Sequence, residues 1–132
     1  MATAVDTKKT IEGLEPARSI LKETARYGKE IAPKFDKIYF VACGAPNRLM
    51  LSMEYWLQQY APSFEVRRYF PAEFMAQNPP RMDDRTLVVL GSKSGTTQET
   101  VAAAEFLKDK PCMTVGFTMT DELPLAKALD HT

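Results

Sequence analysis

The chain has 132 residues, a length that suits one domain with a core of its own rather than two. Its 17 basic side chains balance 17 acidic ones, so nothing suggests a polyanion as partner: no nucleic acid is indicated, and any anion recognised is expected to be small and locally bound. The opening residues lack the apolar core of a signal peptide and no apolar run reaches membrane-spanning length, so no membrane partner is indicated and a cytoplasmic location is the expectation.

After a polar leader, Leu14, Ala17, Leu21, Ala25 and Ile31 recur at roughly helical spacing, with Pro16 placed in the first turn where its missing N–H is harmless. Ala32-Pro33 ends that helix, and Lys37–Ala42 follows as a short apolar strand running into Cys43-Gly44-Ala45-Pro46. Leu49, Met53, Trp56, Leu57 and Tyr60 then form the stripe of a helix lying on a sheet, which places Trp56 and the methionines in the core. Phe64–Tyr69 is a more polar strand suited to a sheet edge, and Pro71–Ala76 a short helical turn before the loop Gln77-Asn78-Pro79-Pro80. Thr86–Leu90 has the apolar, β-rich character of a strand buried on both faces. Gln98–Lys108 reads as a helix, with Thr96 and Glu99 spaced as a capping box. Met113–Thr118 is a fourth strand, and Pro124 opens a last short helix through Leu129.

This alternation predicts an α/β fold, a doubly wound parallel sheet of order 2-1-3-4 with helices on both faces. In that order the first and third strands are neighbours whose following helices leave on opposite sides, opening a crevice at their carboxyl ends. The turns at that crevice are Cys43–Pro46 and Ser92-Lys93-Ser94-Gly95-Thr96-Thr97. The second packs four hydroxyl side chains and a glycine between a strand and a helix start, where unpaired N–H groups and the positive end of the helix dipole suit an anion. A dipole supplies only about 0.3–1 kcal/mol at an exposed site, so hydrogen bonds must contribute most of the affinity. No G-x-x-x-x-G-K-[ST] loop and no G-x-G-x-x-G turn is present, which disfavours nucleoside triphosphates and dinucleotides.

Ser92-Lys93-Ser94-Gly95-Thr96-Thr97 resembles the S-x-S-G-x-T signature of the sugar isomerase (SIS) domain family. Tyr39–Gly44 is similar to that family's first strand and glycine turn, and Pro71-Ala72-Glu73-Phe74 to the segment after its second strand. Within the family, Val41–Pro46 and Asn78-Pro79-Pro80 are most similar to fructosamine 6-phosphate deglycases, which resemble the isomerase half of glucosamine 6-phosphate synthase. The resemblance implies a sugar phosphate held on the Ser92, Ser94 and Thr97 hydroxyls and nearby N–H groups, its sugar extending toward Gly44 and Ala45. Lys93, Gly95 and Thr96 complete the expected ligand set. Pro46 departs from the hydroxyl residue many members carry, and removes one phosphate contact.

The family's sheet normally gains a fifth strand after Asp130-His131-Thr132, and its enzymes usually carry a second such domain holding the acid and base groups. Residues 1–36 are therefore expected to be a leader and helix, and 37–132 a phosphosugar-binding domain incomplete at its C-terminus. The implied chemistry is proton removal beside a C2 imine or carbonyl through an enaminol or enediol, with no metal or organic cofactor. This chain's share is anchoring the phosphate, with no catalytic residue of its own assigned. The alternative is a non-catalytic sugar-phosphate sensor. Uncovered apolar helix faces and an open sheet edge predict a homo-oligomer.

Bland roles are expected elsewhere. Cys43 and Cys112 read as buried free thiols, Glu73 as a backbone cap, Glu99 as the N3 partner of Thr96, and His131 as a frayed-tail residue. The Arg67-Arg68 pair and the Arg81–Arg85 cluster read as solvated surface.

Overall fold

A computed structural model describes residues 7–132. The chain forms two compact units, the first ending at Lys34 and the second spanning Phe35–Thr132. The first holds α1 (Thr7–Ile31), followed by a 3-10 turn at Ala32–Lys34 where Pro33 stops the helix. Pro16 lies well inside α1 rather than in its first turn. It removes the N–H that the Glu12 carbonyl would otherwise accept, while its own carbonyl accepts the Ser19 hydroxyl at 2.6 Å.

The second unit contains β1 (Lys37–Ala42), α2 (Gly44–Tyr60), β2 (Glu65–Tyr69), α3 (Pro71–Gln77), β3 (Thr86–Gly91), α4 (Gln98–Leu107), β4 (Met113–Phe117) and α5 (Pro124–Lys127). The four strands are all parallel in the order β2-β1-β3-β4. One face packs Tyr39, Val41, Tyr69, Val88 and Leu90 under Phe74, Ala103, Ala104, Leu107 and Leu125. The alanines leave no side-chain bulk between α4 and the sheet, and Phe74 fills the adjoining space edge-on against Tyr69 and Phe106. The other face packs Phe40, Ala42, Val66 and Val89 against Met50 of α2. Consecutive residues of β1 thus serve opposite layers, as the pleat requires.

Helix α2 turns the opposite way from the sequence expectation. Leu49, Met53, Trp56 and Tyr60 are exposed, Trp56 to 65 % and Tyr60 to 81 %. Asn47, Met50, Glu54 and Leu57 face the sheet instead. Arg68 of β2 explains the choice. Its guanidinium is half-buried and bonded to both Asn47 and Glu54, so the polar pair must turn inward to satisfy it. Arg68 is therefore not solvated surface; Arg67, pointing to the opposite face, is exposed and pairs with Glu65.

His131 is likewise tied in rather than frayed. Its N–H donates to Thr114 O at 3.2 Å and its carbonyl accepts from Gly116 N at 2.9 Å, a parallel bridge to β4 on the side away from β3. Asp130 holds that bridge by accepting from both the N–H and the hydroxyl of Thr114, each at 2.8 Å.

The amino ends of the strands carry an ion cluster made partly from the supposed surface run Arg81–Arg85. Lys37 Nζ bonds Asp36 at 2.8 Å and Asp83 at 2.9 Å, and Arg85 Nε bonds Asp36 at 2.7 Å. Hydrogen bonds from Lys37 and Arg85 hold the Asp36 carboxyl down at about 2, and Lys37 lowers that of Asp83 too. A depressed carboxylate stabilises the fold above its unfolded value of 3.8 and loses that contribution as pH falls toward 2. The urea midpoint should therefore drop between pH 4 and 2, and Asp36→Asn should make that drop shallower. Equal slopes for the two proteins would contradict the assignment.

Candidate anion site between two helix starts

Ala42 and Gly91, the last residues of β1 and β3, are paired across the sheet. The turns that leave them, Cys43–Pro46 and Ser92–Thr97, therefore begin side by side and lead into α2 and α4. Between them lies a cavity of about 320 Å³ lined by Cys43, Pro46, Gly91, Ser92, Lys93, Ser94, Thr97 and Met119. That volume lies at the small end of the range for small-molecule sites. It opens at the carboxyl end of the sheet between the helix starts, where parallel α/β folds place their ligands.

The local backbone shapes this loop. Gly95 adopts φ +60°, its N–H donates to Ser92 O at 3.1 Å, and its carbonyl accepts from Leu125 N at 3.0 Å. A Cβ there would stand 2.5 Å from Leu123, so only glycine lets the turn lie against α5. Ser92 N–H is spent on Phe117 O at 3.1 Å, which ties the loop to the end of β4. The capping box expected from Thr96 and Glu99 does not form. The N-cap is Thr97, with no side-chain cap bond, so Glu99 falls one position short of N3. The first helical turn closes from Val101 N to Thr97 O at 3.0 Å, leaving the N–H groups ahead of it without intrahelical partners.

The hydroxyls bond mainly to one another. Ser92 Oγ and Thr97 Oγ1 lie 2.8 Å apart, and Ser94 Oγ accepts the Thr96 hydroxyl at 3.0 Å. Each hydroxyl has a single hydrogen to give. The first pair consumes one, from either residue, and the second consumes that of Thr96. Ser94 and one of Ser92 or Thr97 thus retain an O–H to donate, beside the Lys93 ammonium on the rim.

Of the eight ligand residues expected from sequence, Ser92, Lys93, Ser94 and Thr97 line the cavity; Gly44, Ala45, Gly95 and Thr96 stand outside its wall. Gly44, at φ +58°, and Gly95 shape the two turns that frame it. The expected ligand set left out Cys43, Pro46, Gly91 and Met119, of which Cys43 and Pro46 belong to a turn already placed at the crevice. Met119 lies just beyond the carboxyl end of β4, and the rule that ligands gather at strand carboxyl ends was the available signal. Cys43 lies on the wall and Cys112 does not; both are free and half-buried rather than fully buried. Burial, with Asp130 nearby, pushes the Cys112 thiol up to about 11. Glu73 accepts from Phe70 N at 3.5 Å and from Gln77, and belongs to a separate groove along β2.

The fold has relatives among known proteins. The SIS domain family model matches residues 30–132. The chain belongs to the SIS domain family. It is 37% identical over 96 residues to fructosamine deglycase FrlB of Bacillus subtilis, covering 73% of this chain and 29% of that protein. It is 39% identical over 110 residues to the agropine synthesis conjugase of Rhizobium rhizogenes, covering 80% of this chain and 31% of that protein. A Bacillus subtilis crystal structure described as a candidate phosphosugar isomerase superposes with a TM-score of 0.70 at 35% identity, over 73% of this chain and 29% of that one. The chain thus spans about three tenths of the length of these relatives. Among the described residues no helix is long and apolar enough to cross a membrane.

Proposed function

We propose that this chain binds a sugar phosphate, as the amino-terminal SIS domain of a fructosamine 6-phosphate deglycase or an aldose-ketose phosphosugar isomerase. The observation that carries this reading is the cavity where the paired ends of β1 and β3 meet, lined by Ser92, Ser94, Thr97 and Lys93 at the start of α4. The phosphate takes the hydroxyl and N–H donors, and the sugar extends toward the Cys43–Pro46 turn. Among the described residues no carboxylate or imidazole lines the cavity, and in this reading the isolated chain anchors the ligand and turns over neither sugar phosphates nor a phosphorylated fructosamine. The free thiols accord with a reducing, cytoplasmic setting.

Replacing Ser92 and Ser94 by alanine and Thr97 by valine removes both O–H groups left to make charge-assisted hydrogen bonds. At about 1.5 kcal/mol each, the pair comes to roughly 100-fold in affinity. Calorimetry with glucose 6-phosphate should show that loss while binding of unphosphorylated glucose is unchanged. Equal losses for both ligands would mean that the phosphate lies elsewhere.

A further inference from the structure

Asn47 carries a role that no sequence signal announces. It is only 1% exposed, sits in the first turn of α2, and uses every hydrogen-bonding group of its side chain. Its Nδ2 donates to Ala42 O at 2.9 Å and to Tyr69 O at 3.0 Å, the last carbonyls of β1 and β2. Its Oδ1 accepts from Arg68, whose Nε in turn donates to Glu54 Oε2 at 3.1 Å. Both strand carbonyls lie where the sheet ladder runs out, and an amide is the side chain that can donate twice and accept once from a single planar head. The chain from Ala42 to Asn47 is thereby closed into a small ring that contains the whole Cys43–Pro46 turn.

We infer that Asn47 is a positioning residue: by fixing the start of α2 to the ends of β1 and β2, it holds Cys43 and Pro46 as the wall that meets the sugar, while the loop Ser92–Thr97 meets the phosphate. This rests on the sugar-phosphate reading and deepens it, because it assigns the two halves of the ligand to separately supported walls. Arg68 is the second support. It locks the amide orientation from the Oδ1 side, and Glu54, seven residues further along α2, keeps the guanidinium in place. Loss of Asn47 leaves two strand-end carbonyls and a half-buried guanidinium short of partners, and the turn gains freedom that each binding event must then remove.

The test compares glucose 6-phosphate with inorganic phosphate by calorimetry on wild type, Asn47→Leu and Arg68→Gln, with thermal unfolding of each. Expected is at least a tenfold loss of glucose 6-phosphate affinity in Asn47→Leu, a smaller loss of the same kind in Arg68→Gln, and less than a threefold change for inorganic phosphate in both. Asn47→Ser, which keeps one donor, should recover part of the loss. A purely structural role would weaken the two ligands in equal proportion, and that result, or folded variants with unchanged affinity for both, overturns the inference. If Asn47→Leu does not fold, Arg68→Gln decides by the same ratio. Wild-type protein that binds neither ligand overturns the sugar-phosphate reading itself, and this inference with it.

Discussion

Gly95→Ala is expected to abolish measurable sugar-phosphate binding and to lower stability by about 2–5 kcal/mol, the sum of left-handed strain and overpacking. Gly95 sits at φ +60°, and the added methyl would lie 2.5 Å from Leu123 Cβ and 2.8 Å from Leu123 Cδ1. The neighbour cannot swing away easily, because the nearer atom is a Cβ held by the main chain of the α5 entry. Relief must come from the loop moving away from α5, which stretches Leu125 N to Gly95 O and carries Ser94 and Thr97 out of register. Urea unfolding and calorimetry on the same preparation check both effects. Removing the obstruction, Cβ included, with Leu123→Gly should recover part of the stability. A Gly95→Ala protein with wild-type midpoint and affinity would show that the turn does not depend on this residue.

The second large effect concerns α2. Between Leu49 and Tyr60 the helix carries one charge, Glu54, and that side chain is turned inward onto Arg68. One outward stripe therefore presents Leu49, Met53, Trp56 and Tyr60 with no charge among them. Four large exposed side chains on one stripe make up a substantial part of the roughly 800 Å² per partner that a specific interface buries. We propose that a second copy of this chain covers this face. Trp56→Lys places a charge at its centre, and loss of a central tryptophan commonly costs about 2–4 kcal/mol of binding. Sedimentation velocity should show self-association of the wild type at tens of micromolar and a monomer for Trp56→Lys, with unchanged thermal stability. A monomeric wild type at high concentration, or a variant that associates equally well, would contradict the proposal.

The sheet was readable because its signals are local. Runs such as Ile38–Ala42 and Leu87–Leu90 are apolar without interruption, and the intervening prolines and glycines leave little freedom in where elements end. Alternation indicates a parallel sheet with crossovers of one hand, and the order 2-1-3-4 is that of the common doubly wound arrangement which such alternation fits. The facing of α2 was not readable in that way. Two stripes fit its helical period, and the more apolar one, holding Trp56, turned outward because Arg68 of another strand required Asn47 and Glu54. Such a choice depends on a pairing between residues more than a dozen positions apart, which periodicity cannot register. The tie of His131 to β4 was hidden for the same reason: it depends on Asp130 reaching Thr114.

At the site, the hydroxyl-rich turn was legible as chemistry, but its internal bonding was not. Thr96 and Glu99 have the spacing of a capping box, yet the helix begins one residue later and Thr97 turns to Ser92 instead. The wall contributed by Met119 comes from a third strand end, and becomes visible only once β4 lies beside β3.

A crystal of this chain grown with glucose 6-phosphate at saturating concentration tests the central claim most directly. The phosphate should lie within hydrogen-bond reach of the Ser94 and Thr97 hydroxyls and the first N–H groups of α4, with the Ser92–Thr97 contact of 2.8 Å opened or re-aimed toward it. A ligand phosphate bound elsewhere, or an unoccupied loop with its hydroxyls still bonded to one another, would contradict the account.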